Sequence, residues 1–193
     1  MLVTVAGPSD EVVARRVMQT AGLAVQDVHV QYGKHQLDAH LARYNRAAQF
    51  GPWFVLRDLN SDADCAPALM TRLLPTSSAG MRFRLAVRTI EAWLMADSEK
   101  LGGFLAIDRS LLPARPESVP DPKLELVNLA RRSRKREIRE DMVPEEGVAS
   151  KVGARYAARL IEFASRHWRS EVAAKRSDSL ARCIRVLKEW GRK

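Results

Sequence analysis

Cysteines, long apolar runs and targeting segments are scarce or absent in this sequence. Its only two cysteines, Cys65 and Cys183, are far apart and lack metal-ligand spacing, which predicts reduced thiols in a cytoplasmic protein. No apolar stretch reaches the roughly 18 residues that a membrane span needs, so no membrane partner is expected. The opening MLVTVAG lacks a basic region and is too short for a signal peptide, and we interpret it as a first strand.

Basic residues outnumber acidic ones. Among 193 residues there are 32 Lys and Arg against 23 Asp and Glu, which gives a net charge of +9. This excess favours an anionic partner, with nucleic acid as the first candidate. A soluble protein with solvated arginines is the alternative. The 46% hydrophobic content is enough for a folded core.

The first hundred residues alternate between short apolar runs and patterns with helical spacing. The predicted strands cover 2–5, 25–32, 53–59 and 83–87, and the predicted helices cover 9–21, 37–48 and 67–74, with a further helix from 89. This alternation predicts an α/β fold with a mostly parallel sheet flanked by helices. Ligands of such open sheets bind beyond the carboxyl ends of the strands.

The remainder of the chain lacks strand patterns. A Pro-rich segment at 108–122 predicts a connector, and Asp121 and Pro122 predict the start of a helix that carries RRSRKREIR. The tail shows apolar stripes at helical spacing. We therefore expect an α/β domain at 1–107 and a helical C-terminal extension at 108–193, packed together as one compact unit.

Acidic residues follow the third and fourth predicted strands. Asp58, Asp62 and Asp64 come directly after the third strand, and Glu91 comes after the fourth. Because the loops at the carboxyl ends of parallel strands lie together, these side chains predict a site for a hard cation such as Mg²⁺ or Mn²⁺. The alternatives are solvated loop acids at 62 and 64, with Asp64 capping the next helix. For Asp58 the alternative is a salt bridge with a strand arginine.

Two motifs resemble a known domain. The segments VAGPSDE and FVLRDLNSD resemble the TOPRIM domain of primases, topoisomerases and overcoming-lysogenization-defect nucleases. The chain is more closely similar to a bacterial TOPRIM-like family of unknown function, through VRTIEAWLMAD, LLPARPESVPDPK, GARYAARLIEFASRHW and SDSLARCIRVL. The resemblance implies a TOPRIM/Rossmann-like sheet and Mg²⁺-dependent, nuclease-like phosphoryl transfer on nucleic acid. It also implies a role in phage defence beside an ATPase partner.

This chain departs from the TOPRIM pattern at two positions. The resemblance places a catalytic glutamate where Ala6 stands and a second metal-binding aspartate where Asn60 stands. Asp58 matches the first aspartate of the motif. A methyl group cannot transfer a proton, and this help is worth about two to four orders of magnitude in rate. The departures predict weakened or lost catalysis and weak metal binding.

Glu91 and Asp62 are the candidates to compensate for these changes, because both are expected at the same edge of the sheet. Gly7 and Asp10 match the surroundings of the missing glutamate. We expect Asp58 and Glu91 to form the catalytic pair, and Asp58, Asn60, Asp62 and Glu91 to be the metal ligands. A non-catalytic subunit that binds nucleic acid or a partner protein is the alternative function.

A dense group of basic residues forms the candidate nucleic-acid surface. The segment RRSRKREIR is predicted to lie on one helix, where its charges would attract phosphates. A solvated face, or a surface for an acidic protein, is the alternative. Lys123 either points at the acidic site or lies on the surface, and Phe163 and Trp168 are candidates for the interface of a homodimer. The nucleic-acid-binding candidates are Arg131, Arg132, Arg134, Lys135 and Arg136.

Overall fold

The computed structural model describes residues 1–192 and confirms the α/β fold. Four parallel strands form one sheet in the order β2-β1-β3-β4. The two central strands, β1 and β3, are mostly buried on both sides, as expected for a parallel sheet with helices on both faces. The strands are β1 (Leu2–Val5), β2 (Asp27–Val30), β3 (Trp53–Asp58) and β4 (Met81–Ala86).

Ten α-helices surround the sheet in the described part of the chain. The Pro-rich connector contains two short 3-10 turns, Arg109–Leu111 and Pro116–Ser118. Within residues 1–192 we find no helix with the length and apolar character needed to cross a membrane. The helices are α1 (Pro8–Thr20), α2 (Lys34–Ala47), α3 (Ala66–Leu73), α4 (Ile90–Ala96), α5 (Ser98–Leu105), α6 (Pro122–Arg131), α7 (Arg136–Met142), α8 (Tyr156–Arg166), α9 (Ser170–Ala173) and α10 (Asp178–Trp190).

Side chains alternate between two apolar cores on opposite faces of the sheet. Phe54 and Leu56 of β3 belong to the larger core, which also includes buried residues of α1, α4 and the later helices. Val55 belongs to the smaller core, with Leu37 of α2 and Leu69 of α3. This two-residue period means that successive residues at the end of β3 face different helices.

The C-terminal helices complete the larger core. Trp168 is 1% exposed, and its indole Nε1 donates a hydrogen bond to the carbonyl oxygen of Trp93 at 3.2 Å. Arg169 binds the fully buried carboxylate of Asp97 at 2.7 Å. Phe163 is also fully buried within this chain. The prediction that Phe163 and Trp168 form a subunit interface is therefore wrong, because both pack inside the protomer.

The basic segment RRSRKREIR does not form the single helix that was predicted. Helix α6 ends at Arg131 and α7 begins at Arg136. Between them Ser133 is 4% exposed, and its hydroxyl accepts a hydrogen bond from the Lys135 amide at 3.0 Å. A serine that binds nearby backbone competes with helical hydrogen bonding, which explains the break.

The predicted helix caps were partly right. The carboxylate of Asp121 accepts from the Leu124 amide at 3.0 Å, and Ser177 caps α10. The predicted cap at Asp64 is wrong, because Cys65 occupies the N-cap position of α3. Helix α1 begins at Pro8, one residue before the predicted start at 9, and Gly7 occupies its N-cap position.

Gly80 provides a test of the fold at the start of β4. A Cβ atom at this position would overlap the carbonyl oxygen of Ala48. We expect Gly80→Ala to lower the free energy of unfolding by about 1 to 3 kcal/mol, because the backbone must move apart. The measurement is urea unfolding followed by circular dichroism.

Gly51→Ala is the matched control, since no atom lies within 4 Å of the place that the added Cβ would take. It should change the unfolding free energy by less than about 0.5 kcal/mol. Equal stability of the two variants would contradict the close approach at Gly80.

Candidate carboxylate site at the carboxyl edge of the sheet

Asp58 ends β3 at the carboxyl edge of the sheet and links it to α4. Its Oδ1 atom accepts a hydrogen bond from the Ile90 amide at 2.9 Å. The first amides of a helix have no partner within the helix, so a carboxylate here satisfies one of them. The alternative of a salt bridge between Asp58 and a strand arginine is not what the structure shows: within residues 1–192 no arginine pairs with Asp58, Arg57 binds Asp38, and Arg88 donates to the carbonyl oxygen of Asn60.

Glu91 lies beside Asp58 in the first turn of α4 and is almost fully buried. Only 3% of the residue is exposed. The Tyr156 hydroxyl donates a hydrogen bond to Glu91 Oε1 at 3.3 Å, and the Lys123 Nζ atom lies 3.8 Å from the same oxygen. Lys123 therefore points at the acidic site, and it remains half-exposed at its rim.

Asp10, in the first turn of α1, is the third carboxylate of this group. Burial raises the pKa of Asp10 to about 7, and the negative charge of Glu91 adds to the increase. Burial also raises the pKa of Asp58 well above its usual value, with further increases from Asp10 and Glu91. Lys123 opposes both shifts but does not cancel them. Asp10, Asp58, Glu91, Lys123 and Tyr156 are hereafter called the carboxylate site.

The carboxylate site has an excess of negative charge. Three carboxylates influence one another, and Lys123 is the cation that acts on both aspartates. Like charges in a poorly solvated place favour proton uptake or binding of a cation. Burial and the charge of Glu91 also raise the pKa of Tyr156, which keeps its hydroxyl protonated as a donor.

The chemistry of these donors fits a hard divalent cation, although their arrangement is not a finished ligand shell. Carboxylate oxygens are the ligands that Mg²⁺ and Mn²⁺ prefer. Within residues 1–192, however, no three His, Cys, Asp or Glu side chains stand in position to hold one ion together.

Asp62, which was predicted to join the metal ligands, belongs to a different group of charges. Its carboxylate binds Lys34 Nζ at 2.7 Å and Arg57 Nη2 at 2.8 Å. Although burial acts in the opposite direction, these hydrogen bonds lower the pKa of Asp62. Arg57 is itself 3% exposed and also binds Asp38. We therefore correct the prediction: Asp62 is neutralised by two cations and is not assembled with Asp58 and Glu91.

The two positions that depart from the TOPRIM pattern also lie at this edge. Asn60 has a left-handed backbone with φ of 52°, and its amide donates to the carbonyl oxygen of Arg88 at 2.8 Å. Ala6 follows β1, and its methyl group packs against the smaller core on the α2 side. The structure thus places Asp10, rather than residue 6, beside the charge of Asp58.

The basic residues predicted to bind nucleic acid are exposed but lie away from the carboxylates. Lys123 is the second residue of α6 and Arg131 is its last, so about 12 Å of helix separates them. Arg136 is paired with Glu140 at 2.6 Å, and Arg134 Nε donates to the carbonyl oxygen of Ala106 at 3.2 Å. The basic residues form a bent surface across the α6–α7 turn. Its exposed members are Arg131, Arg132, Arg134, Lys135 and Arg136.

Comparisons with known proteins find no match for this chain. Neither a protein-family model, nor a curated protein, nor a solved structure corresponds to the chain. The similarity to TOPRIM domains therefore rests on the sequence motifs and stays a prediction.

Sequence reasoning underestimated three residues of the carboxylate site. Asp10 was assigned only as a motif neighbour, although an acid in the first turn after β1 must lie near the carboxyl edge. For Lys123 the sequence leaves two alternatives open. Tyr156 falls in one of the apolar stripes of the tail, but a buried tyrosine hydroxyl usually requires a partner, and here the partner is Glu91.

The raised pKa of Asp10 predicts a pH-dependent stability in the absence of divalent ions. The folded protein holds this proton up to about pH 7, whereas the usual value for Asp is 3.8. The contribution of Asp10 to the free energy of unfolding is therefore fully present below about pH 4 and is lost as the pH rises through 7. Each pH unit within this window costs up to about 1.4 kcal/mol.

Asp10→Asn should remove this loss, so the variant gains stability over the parent protein between pH 5 and pH 8. The measurement is urea unfolding at several pH values in the presence of a chelator. Asp64→Asn, at an exposed carboxylate in the loop after β3, is the control and should keep the parent's pH dependence. Parallel curves for Asp10→Asn and the parent would show that Asp10 does not titrate in this range.

Proposed function

We propose that this protein binds a divalent metal ion through Asp58 and Glu91 and acts on nucleic acid as a nuclease-like phosphoryl-transfer protein. The observation that supports the proposal is the partly buried, negatively charged carboxylate site at the carboxyl edge of a parallel sheet. Such an edge is where ligands of this fold class bind. The TOPRIM-like motifs of the sequence favour the same chemistry.

A bound Mg²⁺ or Mn²⁺ would neutralise charge on the phosphoryl group and lower the pKa of a water molecule. Asp58 is held in place by the Ile90 amide, and Glu91 is oriented by the Tyr156 hydroxyl. Lys123 is half-exposed at the rim, where its ammonium group can contact a phosphate of the substrate. These contacts position the charges before the substrate arrives.

Asp10 is the residue best suited to transfer a proton. A general acid or base works best when its pKa lies close to the ambient pH, and burial raises the pKa of Asp10 to about 7 in the metal-free protein. We therefore assign to Asp10 the task that the missing glutamate performs in TOPRIM domains. This substitution retains a carboxylate at the edge of the sheet, but it comes from α1 instead of the end of β1.

The proposed partners are inferred from the exposed positive charge of the chain and from its resemblance to TOPRIM domains. The exposed arginines of the α6–α7 turn would bind phosphates of a nucleic-acid strand in a salt-dependent manner. An ATPase partner and a role in phage defence are proposed from the resemblance alone. The chain offers no contact that selects DNA over RNA.

A non-catalytic nucleic-acid-binding subunit is the second candidate function. It is favoured by the charge neutralisation of Asp62 and by the absence, within the described residues, of an assembled ligand shell. In that case the double variant Arg134→Glu and Arg136→Glu abolishes binding to nucleic acid. Asp58→Asn should bind nucleic acid as the parent does, and neither protein should cleave it.

Metal binding is tested first, by thermal unfolding at pH 8 with and without Mg²⁺ or Mn²⁺. An ion that binds the folded protein at 100 times its dissociation constant stabilises it by about 2.7 kcal/mol. We expect the ions to raise the unfolding temperature of the parent but not of Asp58→Asn or Glu91→Gln. Asp64→Asn is the control and should respond like the parent. An equal response of all variants would place the ion elsewhere.

Cleavage is tested with purified protein and labelled single- and double-stranded DNA and RNA. The parent should cleave at least one of these substrates in a metal-dependent manner. Asp10→Asn should lower the rate by about two to four orders of magnitude, because proton transfer is lost. Asp64→Asn should cleave normally. Activity that survives in Asp58→Asn would belong to a contaminant and would contradict the proposed enzyme.

A further inference from the structure

A second concave site lies next to the carboxylate site, along the edge strand β4. It is a cavity of about 440 Å³ between the start of α3, the end of β4 and the start of α10. This volume is within the range of small-molecule sites. Leu59 lines the cavity and directly follows Asp58, so the two sites share the carboxyl edge of the sheet.

Arg84 of β4 lines this cavity with a buried donor that has no acceptor. Its Nε atom is buried and forms no hydrogen bond within residues 1–192. A buried polar group without a partner is costly, and charged groups are the most costly. The terminal nitrogens of Arg84 also form no hydrogen bond or ion pair within residues 1–192, and they are not buried, so they are free to bind a ligand in the cavity.

The acidic residues around the cavity do not supply that acceptor. Asp178 is paired with Arg182 at 2.6 Å. Glu117 Oε1 accepts hydrogen bonds from the Ser179 amide at 3.0 Å and from the Ser179 hydroxyl at 2.6 Å. These two carboxylates are therefore occupied. Asp64, the third acid of the cavity wall, is exposed to solvent.

Two further features make the cavity attractive to an anion. Arg88 lines it and donates to the carbonyl oxygen of Asn60 at 3.2 Å, which holds the guanidinium at the carboxyl edge. Helix α3 begins at the cavity, and its N-cap residue Cys65 makes no side-chain capping hydrogen bond. Because Pro67 has no amide hydrogen, the donors of this first turn are the amides of Ala66 and Ala68, together with the positive end of the helix dipole.

We propose that this cavity binds a phosphate group, with Arg84 and Arg88 as its principal ligands. The phosphate belongs either to a free nucleotide or to the backbone of a nucleic-acid strand. Arginine suits this task because its planar guanidinium presents several donors to phosphate oxygens. Phosphate binding here does not require metal binding or catalysis at the carboxylate site.

Cys65 provides a direct probe of occupancy. It is exposed at the wall of the cavity, whereas Cys183 is 1% exposed. A neutral maleimide should therefore label Cys65 selectively in the folded protein. We expect inorganic phosphate, at millimolar concentration and constant ionic strength, to slow this labelling, while chloride does not.

Variants test whether the arginines cause this protection. Arg88→Ala and Arg84→Met should weaken phosphate binding roughly tenfold to a hundredfold, as expected for losing a hydrogen bond to a charged group. Arg185→Ala is the matched control, because Arg185 is an exposed arginine of α10 that lines a different cavity. Protection that persists in Arg84→Met and Arg88→Ala, or no protection of the parent by any phosphate probe, overturns the proposal.

The stability of Arg84→Met separates binding from a structural role. Because the Arg84 Nε donor is buried without a partner, this variant should unfold at the same denaturant concentration as the parent or a higher one. Clear destabilisation in phosphate-free buffer would show that Arg84 supports the fold and would overturn its assignment as a ligand.

Two probes distinguish the sources of the phosphate. A nucleoside 5′-monophosphate tests a terminal phosphate, and an oligonucleotide without terminal phosphates tests the backbone. Protection of Cys65 by either one supports the proposal and identifies the source. Asp58→Asn should retain this protection. The nuclease proposal is therefore tested by Asp58→Asn, and the phosphate-binding proposal is tested separately by Arg84→Met and Arg88→Ala.

Discussion

The hydrogen bond from the Ile90 amide to Asp58 connects the end of β3 to the start of α4, and the organisation of the carboxyl edge depends on it. It holds the first turn of α4 against the sheet, which places Glu91 beside Asp58. Helix α1 begins at the same edge and adds Asp10. Three carboxylates are thereby concentrated in a poorly solvated place. The raised pKa values of Asp10 and Asp58 are the electrostatic consequence.

Two groups of charges at this edge are kept apart by the alternation of side chains along β3. Arg57 and Asp58 are consecutive and therefore face opposite sides of the sheet. Arg57 joins Asp38 and Asp62 on the α2 side, where acids and bases are paired at 2.7–2.8 Å. Asp58 faces the α1 and α4 side, where a single lysine opposes three carboxylates. Only the second group has a reason to recruit a cation.

The same alternation explains how much could be predicted from the sequence. The α/β fold was accessible because short apolar runs separated by helical patterns have few other solutions. Asp58 and Glu91 were found because both follow strands. Asp62 was misplaced, because its position in a loop does not reveal which cations it will meet after folding. The break at Ser133 was missed for a similar reason: its hydroxyl and the adjacent amides compete locally with the helix.

The two neighbouring sites have opposite electrostatic needs. The carboxylate site has a single lysine for three carboxylates, and the guanidinium of Arg84 beside the cavity has no acceptor within residues 1–192. Under the two proposals, a metal ion would satisfy the first site and a phosphate would satisfy the second. A nucleic-acid strand that carries its own divalent ions would supply both. This complementarity is a physical reason to treat the sites as parts of one binding surface, independent of any resemblance to known enzymes.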